Sequence, residues 1–589
     1  MESDIKMDRI LGIDLGTTNS VMSIVENGEA IVLSNKRGER LTPSVVAFGK
    51  NDEILVGKAA KNQAVLNSER TVMSIKRKMG TEELIEIGSR KYTPQEISAQ
   101  ILMKLKEDAE EYFNEKIDKA VITVPAYFND NQRQATKEAG RIAGFDVLRI
   151  INEPTSAALA YGVNKNENQI ILIYDLGGGT FDVSILEIGD GIFEVKSTAG
   201  NNKLGGDDFD KQLRDWVLKN YKSKNGIDLF GDIMAIQKLN EEIEKVKIEL
   251  SDYERTELNI PFITADENGP KHLNMEINRS DFEDLIQEYI EETIHLTDKA
   301  IKDANLTKDS IEKVIMVGGS TRIPLVQREI EKFIGKEITK GINPDECVAI
   351  GAAIQASILS GERKGMVLVD VTPLSLGIEI EGGIFIPIIE RNSTIPTSAS
   401  KLFTTIADFQ KSVEIKIFQG ERIRCSDNIS LGQFQLTGIR AAKKGEPRVE
   451  VNFIIDVDGI LQVTAKDLDS FKKQKIIISN PTSLSEDKIN KIIDEARKNR
   501  KIDLEYIEKE EIKRKFDSEY QTLINLFNEN IEEIDINLKK EVQTFIKEIE
   551  KKSKNFNIEE FQEYFNNLEF LIGELKAINS FEKEEVEAL

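Results

Sequence analysis

The chain has 589 residues, a length that predicts about three or four domains rather than a single core. Hydrophobic residues make up 40% of it and charged residues 31%, which is typical of a folded globular protein and excludes wholesale disorder. The net charge of −24 argues against general nucleic-acid binding, because basic surfaces bind phosphate backbones. A nucleotide polyphosphate would therefore need a metal cation or a concentrated set of backbone N–H groups here.

The rarest residue types limit the chemistry that the chain can perform. His272 and His295 are its only histidines, which argues against His-based triads and multi-histidine metal sites. Cys347 and Cys425 stand far apart in sequence, so we expect neither a disulfide framework nor a cysteine zinc site. The first ten residues lack signal-peptide character, and no run approaches the roughly 20 apolar residues of a membrane span. We expect a cytoplasmic protein without membrane or nucleic-acid partners.

From residue 9 to about residue 362, strand-like runs alternate with helical ones. The β-branched run "AVITVPAYF" (120–128) predicts a strand, and "NDNQRQATKEAGRIAGF" (129–145) predicts a helix after it. The same order returns at "IILIYDLGG" (170–178) and at "KVIMVGGSTRIPLVQREIEKFI" (313–334). This alternation predicts a mostly parallel sheet covered on both faces.

The pattern changes after Gly365, where "MVLVDVTPLSLGIEI" (366–380) opens a region of short strands with turn signals. A hairpin is the strongest local prediction, with Asp458 and Gly459 forming its turn. The residues that alternate inward on its two strands are Val449, Val451, Phe453, Ile455, Leu461, Val463 and Ala465. This part of the chain is predicted to be an antiparallel β-domain.

The β-pattern ends near Pro481, and Ser485 is a plausible N-cap for the helical sequence that continues to the end. A wide apolar stripe at helical spacing predicts the core of a helical bundle. Its members are Phe561, Tyr564, Phe565, Leu568, Leu571, Ile572 and Leu575. The order of the chain is therefore α/β, then β, then α.

Two similar glycine loops follow strand-like runs in the α/β part, at "GIDLGTTNS" (12–20) and "YDLGGGTFD" (174–182). Glycine lets the backbone approach an oxyanion closely, and successive N–H groups form an anion-binding concavity. The residues that offer such groups are Gly16, Thr17, Thr18 and Asn19 in the first loop and Gly177, Gly178, Gly179 and Thr180 in the second. Neither is a Walker loop, and either alone would serve equally well as an ordinary tight turn. Together they predict one anion held from two sides.

Carboxylates accompany both loops. Asp14 and Asp175 precede them, and Asp182 and Glu153 are further candidates for the same place. Each Asp taken alone could be a turn or cap residue. As a set beside a triphosphate they would repel it strongly, so we expect Mg²⁺, an ion that keeps several waters and binds one or two carboxylates plus phosphates.

Four further motifs complete a resemblance to the seventy-kilodalton heat-shock chaperones, which covers nearly the whole chain. They are "INEPTSAALAYG" (151–162), "LGGDDFD" (204–210), "VGGSTRIP" (317–324) and "NPDECVAIGAA" (343–353). The resemblance implies a multidomain protein with an actin-like α/β ATPase domain, whose lobe is duplicated, an antiparallel β-sandwich substrate-binding domain and a C-terminal α-helical lid. The implied ranges are 1–362 for the nucleotide-binding domain, 363–371 for a linker, 372–480 for the peptide-binding domain and 481–589 for the lid.

The resemblance assigns roles around a bound ATP or ADP. Asp14 and Asp175 match the carboxylates that orient Mg²⁺, largely through waters, and K⁺ is implied as a further ion. Lys76, which without the family would be a solvated surface charge, matches the lysine needed for hydrolysis; a compact ammonium there can neutralise γ-phosphate charge and place the attacking water. The catalytic candidates are Lys76, Glu153, Asp175, Thr180 and Asp182, with none singled out as a general base.

At the adenosine end, Glu244, Lys247 and Ser251 share one helix face by their spacing, which would ordinarily mark only its solvated side. The resemblance makes them contacts of the ribose and base. It places opposite them Gly319, Ser320 and Arg322, with Gly206 and Asp345 completing the pocket.

The resemblance also implies coupling between ATP and an extended client polypeptide. Pro125, Arg133 and the linker residue Asp370 match the coupling relay, with Glu153 between it and the nucleotide. Ile378, Phe403, Val413 and Ile415 match the client pocket, although β-sandwich core is the alternative for such apolar residues. Lys444 and Asp517 match the lid latch. A DnaJ-type J-domain co-chaperone, for which Arg149, Asn152 and Asp370 match the bound surface, and a GrpE-type exchange factor are the implied partners.

Several positions depart from the usual pattern. Lys444 stands where arginine is found in the bacterial member, so a weaker latch is expected. The arch over the client carries Glu381 and Ile406, and the acidic residue predicts a preference for basic flanks. Residues 79–91 are short, which resembles the form in low-GC Gram-positive bacteria.

Two other functions compete with the chaperone interpretation. A sugar or small-molecule kinase on the same fold would explain the loops but not about 220 further residues of β-domain and lid, and a phosphorylation assay separates the two. A holdase or exchange factor of the same superfamily would bind ATP without turning it over; Lys76, Thr180 and the linker argue against it.

Overall fold

The structure is a computed structural model, and it describes residues 9–49, 54–65, 67–162, 168–266, 269–470, 473–477, 516–528, 534–552 and 564–576. The predicted N-cap Ser485 and the stripe residue Phe561 lie outside the described residues. The chain divides into two compact units. The larger comprises residues 1–381, 385–421 and 425–493, and the smaller comprises 382–384, 422–424 and 494–589.

The larger unit begins with a lobe built on one main sheet, in the strand order β11-β10-β1-β2-β3 with β4 beside β2. Its strands are β1 Ile10–Asp14, β2 Asn19–Glu26, β3 Glu29–Val32, β4 Thr42–Pro43, β5 Val46–Phe48, β6 Ile54–Val56, β7 Thr71–Val72, β8 Ile85–Ile87, β9 Arg90–Tyr92, β10 Lys119–Val124 and β11 Asp146–Asn152. Its helices are α1 Lys58–Asn62, α2 Pro94–Phe113, α3 Asp130–Ile142 and α4 Glu153–Gly162.

A second lobe follows, with β17, β12, β13 and β14 side by side in its main sheet. Its strands are β12 Gln169–Leu176, β13 Phe181–Gly189, β14 Ile192–Asn201, β15 Arg255–Asp266, β16 Gly269–Asn278 and β17 Lys313–Val317. Its helices are α5 Gly206–Asn225, α6 Ile233–Asp252, α7 Arg279–Asp303, α8 Pro324–Ile334 and α9 Cys347–Leu359.

The two lobes repeat one arrangement. In each, the first three strands form an antiparallel meander, and a later strand pairs in parallel with the first of them, β10 with β1 and β17 with β12. The glycine loops connect the first and second strands in both lobes. The prediction of a mostly parallel sheet was therefore wrong, because these loops are too short for anything but an antiparallel connection.

Local sequence accounts for the helix starts. Asn129 caps α3 by accepting from the Gln132 N–H, and the Gln132 side chain accepts from the Asn129 N–H in return. Thr93 and Glu96 make the same reciprocal cap for α2. The helix predicted within 129–145 is confirmed as α3.

Helices α4 and α9 cross between the lobes, because α4 packs on β12 and β13 whereas α9 packs on β1 and β2. They meet where a Cβ on Gly351 would collide with the Ser156 carbonyl, and the Ser156 hydroxyl donates to the Val348 carbonyl at 2.7 Å. Gly12 likewise lies against the backbone of Ala353. The absence of side chains at two glycines thus permits the close contact that joins the lobes.

The same unit contains two four-stranded antiparallel sheets, in the orders β20-β19-β23-β24 and β22-β25-β26-β27. The strands of this region are β18 Val367–Val371, β19 Leu376–Ile380, β20 Ile384–Ile389, β21 Thr394–Ile395, β22 Thr397–Phe403, β23 Ser412–Gln419, β24 Ile429–Thr437, β25 Val449–Ile455, β26 Leu461–Asp467 and β27 Lys473–Ile477. The predicted hairpin is confirmed: its seven inward residues are all buried, and Gly459 turns with φ 80°.

The smaller unit is helical where it is described beyond residue 515, with α10 at 516–528, α11 Ile536–Lys552 and α12 at 564–576. Leu568, Leu571, Ile572 and Leu575 of the predicted stripe are buried in its core, whereas Tyr564 and Phe565 pack against that core while partly exposed. The bundle-core interpretation is confirmed for these six positions.

The Gly351 contact gives a test of the lobe junction. We expect Gly351→Ala to lower stability by about 1–3 kcal/mol, because the new methyl group collides with the Ser156 carbonyl. Helix propensity alone would change stability by about 0.5–1 kcal/mol in the opposite direction. Thermal unfolding followed by circular dichroism measures the shift of the midpoint.

Gly231→Ala is the matched control, since its Cβ would meet no atom within 4 Å, and we expect a change within about 0.5 kcal/mol. Equal midpoints for the two variants would contradict the close helix contact.

Candidate active site

A cavity of about 370 Å³ opens between the two lobes, and both glycine loops form part of its wall. The predicted residues that line it are Asp14, Gly16, Thr17, Thr18, Asn19, Lys76, Glu153, Asp175, Gly178, Thr180, Glu244, Lys247, Ser251, Gly319, Ser320, Arg322 and Asp345. Gly179, Asp182 and Gly206 were also predicted for this site but do not line the cavity themselves. Gly179 and Asp182 are close in sequence to the lining residue Thr180, and the Gly206 carbonyl accepts from the lining residue Lys247 at 3.2 Å.

The two glycine loops pack against each other. A Cβ on Gly178 would collide with the Thr18 hydroxyl, and a Cβ on Gly179 would collide with Thr17. The glycines therefore allow the two loops to share one anion-sized space. Within the described part of the chain, the buried Thr18 Oγ1 has no hydrogen-bond partner, which suits a hydroxyl reserved for a ligand.

Lys76 reaches the cavity from a 3-10 turn, Ile75–Lys78, of the first lobe. Its side chain is 5% exposed and forms an ion pair with Glu153, the first residue of α4. Burial opposes its charge, but the carboxylates of Glu153, Asp14 and Asp175 outweigh that effect and raise the pKa of Lys76. Lys76 is thus a buried ammonium held charged beside the two glycine loops, not a solvated surface lysine.

Three Asp carboxyls around Lys76 carry more negative charge than one lysine balances. Burial raises the pKa of Asp14 to about 7, and the nearby Glu153 acts in the same direction. Burial also raises the pKa of Asp175 well above its ordinary value, and that of Asp182 to about 8. A divalent cation near Asp14 and Asp175 would relieve this repulsion.

No group of three or more His, Cys, Asp or Glu side chains in the described ranges converges closely enough to hold a metal ion. The cavity does offer carboxylate oxygens at Asp14 and Asp175, and a hard cation can take its remaining ligands from phosphates and waters.

Ion pairs connect several of the residues that were predicted to contact adenosine. Lys247 contacts Asp210 at 2.7 Å, and Arg322 contacts Asp345 at 2.6 Å. Glu244 on α6 pairs at 2.6 Å with Lys61, which reaches it from α1 of the first lobe. The Lys61–Glu244 pair thus bridges the two lobes beside the cavity.

On the far side of Glu153, hydrogen bonds lead to the linker strand. The preceding residue, Asn152, donates to the Asp370 carboxylate at 2.5 Å and accepts from Arg133 at 2.7 Å. Arg133 also donates to the carbonyls of Ala126 and Phe128, both at 2.9 Å, just after Pro125. The predicted coupling residues Pro125, Arg133 and Asp370 are therefore brought together.

Strand β18, which lies in the predicted linker, extends the second lobe's sheet. It pairs in parallel with β14 and antiparallel with β21, so the sheet continues into the β-domain. Asp370 and Asn152 are buried here, and of the three residues matched to a J-domain surface only Arg149 is partly exposed.

Two contacts that join the β-domain to the lobes were missed from sequence. Asp458, in the predicted hairpin turn, pairs with Lys137 of α3 and accepts from the Ile150 N–H at 3.2 Å. Arg391 binds both oxygens of Asp303 on α7, at 2.7 and 3.1 Å. Each partner looks like an ordinary surface charge in sequence, and no local signal joins such distant positions.

The residues predicted for the client pocket share the β-domain core. Ile378 and Ile415 are buried, while Phe403 and Val413 pack against the same core and stay partly exposed. Glu381 and Ile406 are exposed. Of the predicted latch, Lys444 lies in the larger unit, where its N–H donates to Asp408 at 2.8 Å, and Asp517 lies in the smaller one.

A cleft of this kind, with two phosphate-sized loops, a buried lysine and an excess of carboxylates, suits a two-lobed protein that binds a nucleotide with a divalent cation. The model of the protein family described as "Hsp70 protein" matches residues 10–578. The chain belongs to the Hsp70 family.

Members of this family are ATP-dependent chaperones and ATPases that use ATP or ADP with Mg²⁺. They generally bind unfolded polypeptides, J-domain co-chaperones and nucleotide exchange factors. In the part of the chain that the structure describes, no helix is both long and apolar enough to cross a membrane.

The bridge between Lys61 and Glu244 gives a test of the cleft. We expect Lys61→Ala to speed ADP release about 1.4- to 5-fold, because a partly exposed ion pair contributes about 0.2–1 kcal/mol and this one ties the lobes together. Stopped-flow displacement of a fluorescent ADP analogue measures the rate.

Lys58→Ala on the same helix is the control, because Lys58 is more exposed and its 3.8 Å pair with Glu39 stays within the first lobe. If both variants release ADP at the rate of the unmodified protein, the Lys61–Glu244 ion pair does not slow ADP release.

Proposed function

We propose that the chain is an ATP-dependent chaperone of the bacterial DnaK type, in the low-GC Gram-positive form, which binds extended hydrophobic segments of unfolded proteins. Nucleotide state would switch client affinity, with an actin-like ATPase domain, a β-sandwich client domain and a helical lid as its parts. The observation that carries the proposal is the adjacency of Glu153 and Asn152: one pairs with Lys76 in the cleft and the other bonds Asp370 in the linker.

In the nucleotide site, the glycine loops would hold the phosphates through backbone N–H groups. Asp14 and Asp175 would hold Mg²⁺, largely through waters, and K⁺ is a further expected ion. The Mg²⁺ would neutralise phosphate charge when bound. Lys76 would place the attacking water and balance charge at the γ-phosphate, beside Thr180, Asp182 and Glu153.

At the other end, the base and ribose would lie between two sets of side chains. All of them line the cavity: Glu244, Lys247 and Ser251 on α6 would form one wall, and Gly319, Ser320 and Arg322 would form the opposite one. The flat guanidinium of Arg322 would stack on the base.

Coupling would run through the linker. ATP would favour the arrangement described here, with β18 docked on β14, and ADP would favour its release. Glu153 can sense phosphate charge through Lys76, while Asn152 holds Asp370 and Arg133 braces the loop after Pro125. Client binding must then alter hydrolysis, because coupling between two sites is reciprocal in binding free energy.

The client would add backbone hydrogen bonds to the β-domain and place a Leu-like side chain among Ile378, Phe403, Val413 and Ile415. A latch between Lys444 and Asp517 would hold the lid. A DnaJ-type co-chaperone and a GrpE-type exchange factor would assist the cycle in the cytoplasm.

Loss of the linker carboxylate tests the coupling. We expect Asp370→Asn to abolish most of the stimulation of single-turnover ATP hydrolysis by an extended Leu-rich peptide. Asn152 and Thr155 donate to Asp370 Oδ2 and the Val371 N–H donates to Oδ1, whereas an amide has only one acceptor oxygen, so one side loses its bond at a cost of about 1–3 kcal/mol in a buried position. Hydrolysis without peptide is measured in parallel.

Glu362→Gln provides the control, since it makes the same change at an exposed position just before the linker. Full stimulation in the Asp370 variant would show that the linker bond does not couple the domains.

Glu381 gives a test of client preference. Two peptides with one Leu-rich core, flanked by Lys or by Glu, should differ in affinity in favour of the Lys-flanked one. We expect Glu381→Met to reduce that ratio about 1.4- to 5-fold, the size of an exposed charge pair. Fluorescence anisotropy measures both affinities, and Glu414→Met, at an exposed position on β23, serves as control. An unchanged ratio in the Glu381 variant would count against the acidic arch.

A further inference from the structure

The turn that carries Lys76 is fastened to the opposite lobe at two points. Ser74, just before the turn, donates its hydroxyl to Asp207 Oδ2 at 2.7 Å. Arg77, directly after Lys76, binds Asp208 at 2.5 Å and donates from Nε to the Gly179 carbonyl at 3.1 Å. Lys76 thus lies between two residues that grip the second lobe, and we call these contacts the lobe clamp.

The acceptors of the lobe clamp belong to the second glycine loop and the helix that follows it. The Asp207 N–H donates to the Gly178 carbonyl at 2.8 Å, and Asp208 Oδ2 accepts from the Gly205 N–H at 2.9 Å. Both aspartates lie in the first turn of α5, which favours negative charge there. The lobe clamp is therefore hydrogen-bonded, directly or through its two aspartates, to the backbone of the second glycine loop and the start of α5.

Ser74 keeps its place in an unfavourable conformation. Its φ of 51° and ψ of 32° lie in the left-handed region, which costs free energy for a residue with a Cβ. Such conformations persist only where the surroundings determine them, and they are concentrated at functional sites. Here Ser74 is held by its hydrogen bond to Asp207, and the turn that follows it carries the buried Lys76.

The Arg77 contact with Gly179 sets the direction of a neighbouring N–H. A trans peptide is planar, so its carbonyl and its N–H point in opposite directions. Holding the Gly179 carbonyl towards Arg77 fixes the Thr180 N–H away from Arg77. Thr180 lines the cavity, whereas Arg77 does not.

We propose that Ser74 and Arg77 are positioning residues for ATP hydrolysis, which set Lys76 and Thr180 in register across the two lobes. This inference rests on the proposed function, in which Lys76 acts at the γ-phosphate. The lobe clamp bridges the lobes without touching either wall at the adenosine end, so its loss should slow hydrolysis much more than it weakens nucleotide affinity.

The test uses the full chain in single-turnover hydrolysis of bound ATP with Mg²⁺, with ADP affinity measured beside it. We expect Arg77→Met to slow hydrolysis roughly ten- to hundredfold, since small misplacements of reacting groups carry costs of this size. ADP affinity should fall no more than about fivefold, the loss expected for one ion pair that bridges the lobes, because a positioning role largely spares ground-state binding.

Three further variants separate geometry from charge. Arg77→Lys should remain slow, because a single ammonium does not reproduce the guanidinium fork on Asp208 and Gly179. Asp208→Asn combined with Arg77→Met should be no slower than Arg77→Met alone, since the two residues act as a unit. Lys78→Met, on the same turn but paired with Glu83 of its own lobe and 44% exposed, should hydrolyse normally.

Two outcomes would overturn the proposal for Ser74 and Arg77, and both can be distinguished from an outcome that refutes the proposed role of Lys76. Hydrolysis unchanged in Arg77→Met while Lys76→Met is inactive would contradict the lobe clamp alone. Equal losses of hydrolysis and ADP affinity in Arg77→Met would indicate a merely structural role. Normal hydrolysis in Lys76→Met would instead refute the role of Lys76, and the lobe clamp would fall with it.

Discussion

The arrangement of the larger unit depends on one buried hydrogen bond, from Asn152 to the carboxylate of Asp370. Burial raises the pKa of Asp370, and Arg133 acts against that rise. A carboxylate in this environment is costly unless both oxygens are hydrogen-bonded; Oδ2 also accepts from Thr155 at 3.2 Å, and Oδ1 accepts from the Val371 N–H at 2.9 Å. Strand β18 pairs with β14, and its residue Asp370 is bound by Asn152 at the end of β11 and Thr155 in α4. Its docking therefore depends on the position of these two residues.

The same end of β11 is connected to the cavity between the lobes, the proposed nucleotide site, because Glu153 follows Asn152 directly and pairs with Lys76. Lys76 comes from the first lobe, and its turn is held by Asp207 and Asp208 of the second. A change in the position of one lobe relative to the other would thus move Lys76, its partner Glu153 and strand β18 together. The proposed coupling therefore consists of a short series of buried contacts, from Lys76 to Glu153 and from Asn152 to Asp370. Removing one partner would leave a buried polar group without its hydrogen bond, which is costly.

Local structure could be predicted from sequence, because its signals lie within a few residues, and the two glycine loops that were predicted to hold one anion do line a single cavity. The capped helix α3 and the hairpin around Gly459 show this. The antiparallel pairing within the two main sheets was not predicted. Each glycine loop was interpreted only as an anion site, although it is also the short connection between two antiparallel strands. Contacts such as Arg77 with Asp208, or Lys137 with Asp458, join residues 131 and 321 positions apart. Nothing in a single sequence distinguishes such charges from solvated ones.

The most direct test of the account is amide hydrogen exchange of the linker strand in the full chain. Residues 367–371 should be protected with ATP at labelling times shorter than hydrolysis, because their N–H groups belong to the extended sheet. With ADP the same amides should exchange rapidly. Equal protection in both nucleotide states would contradict the claim that the cleft controls linker docking through Glu153, Asn152 and Asp370.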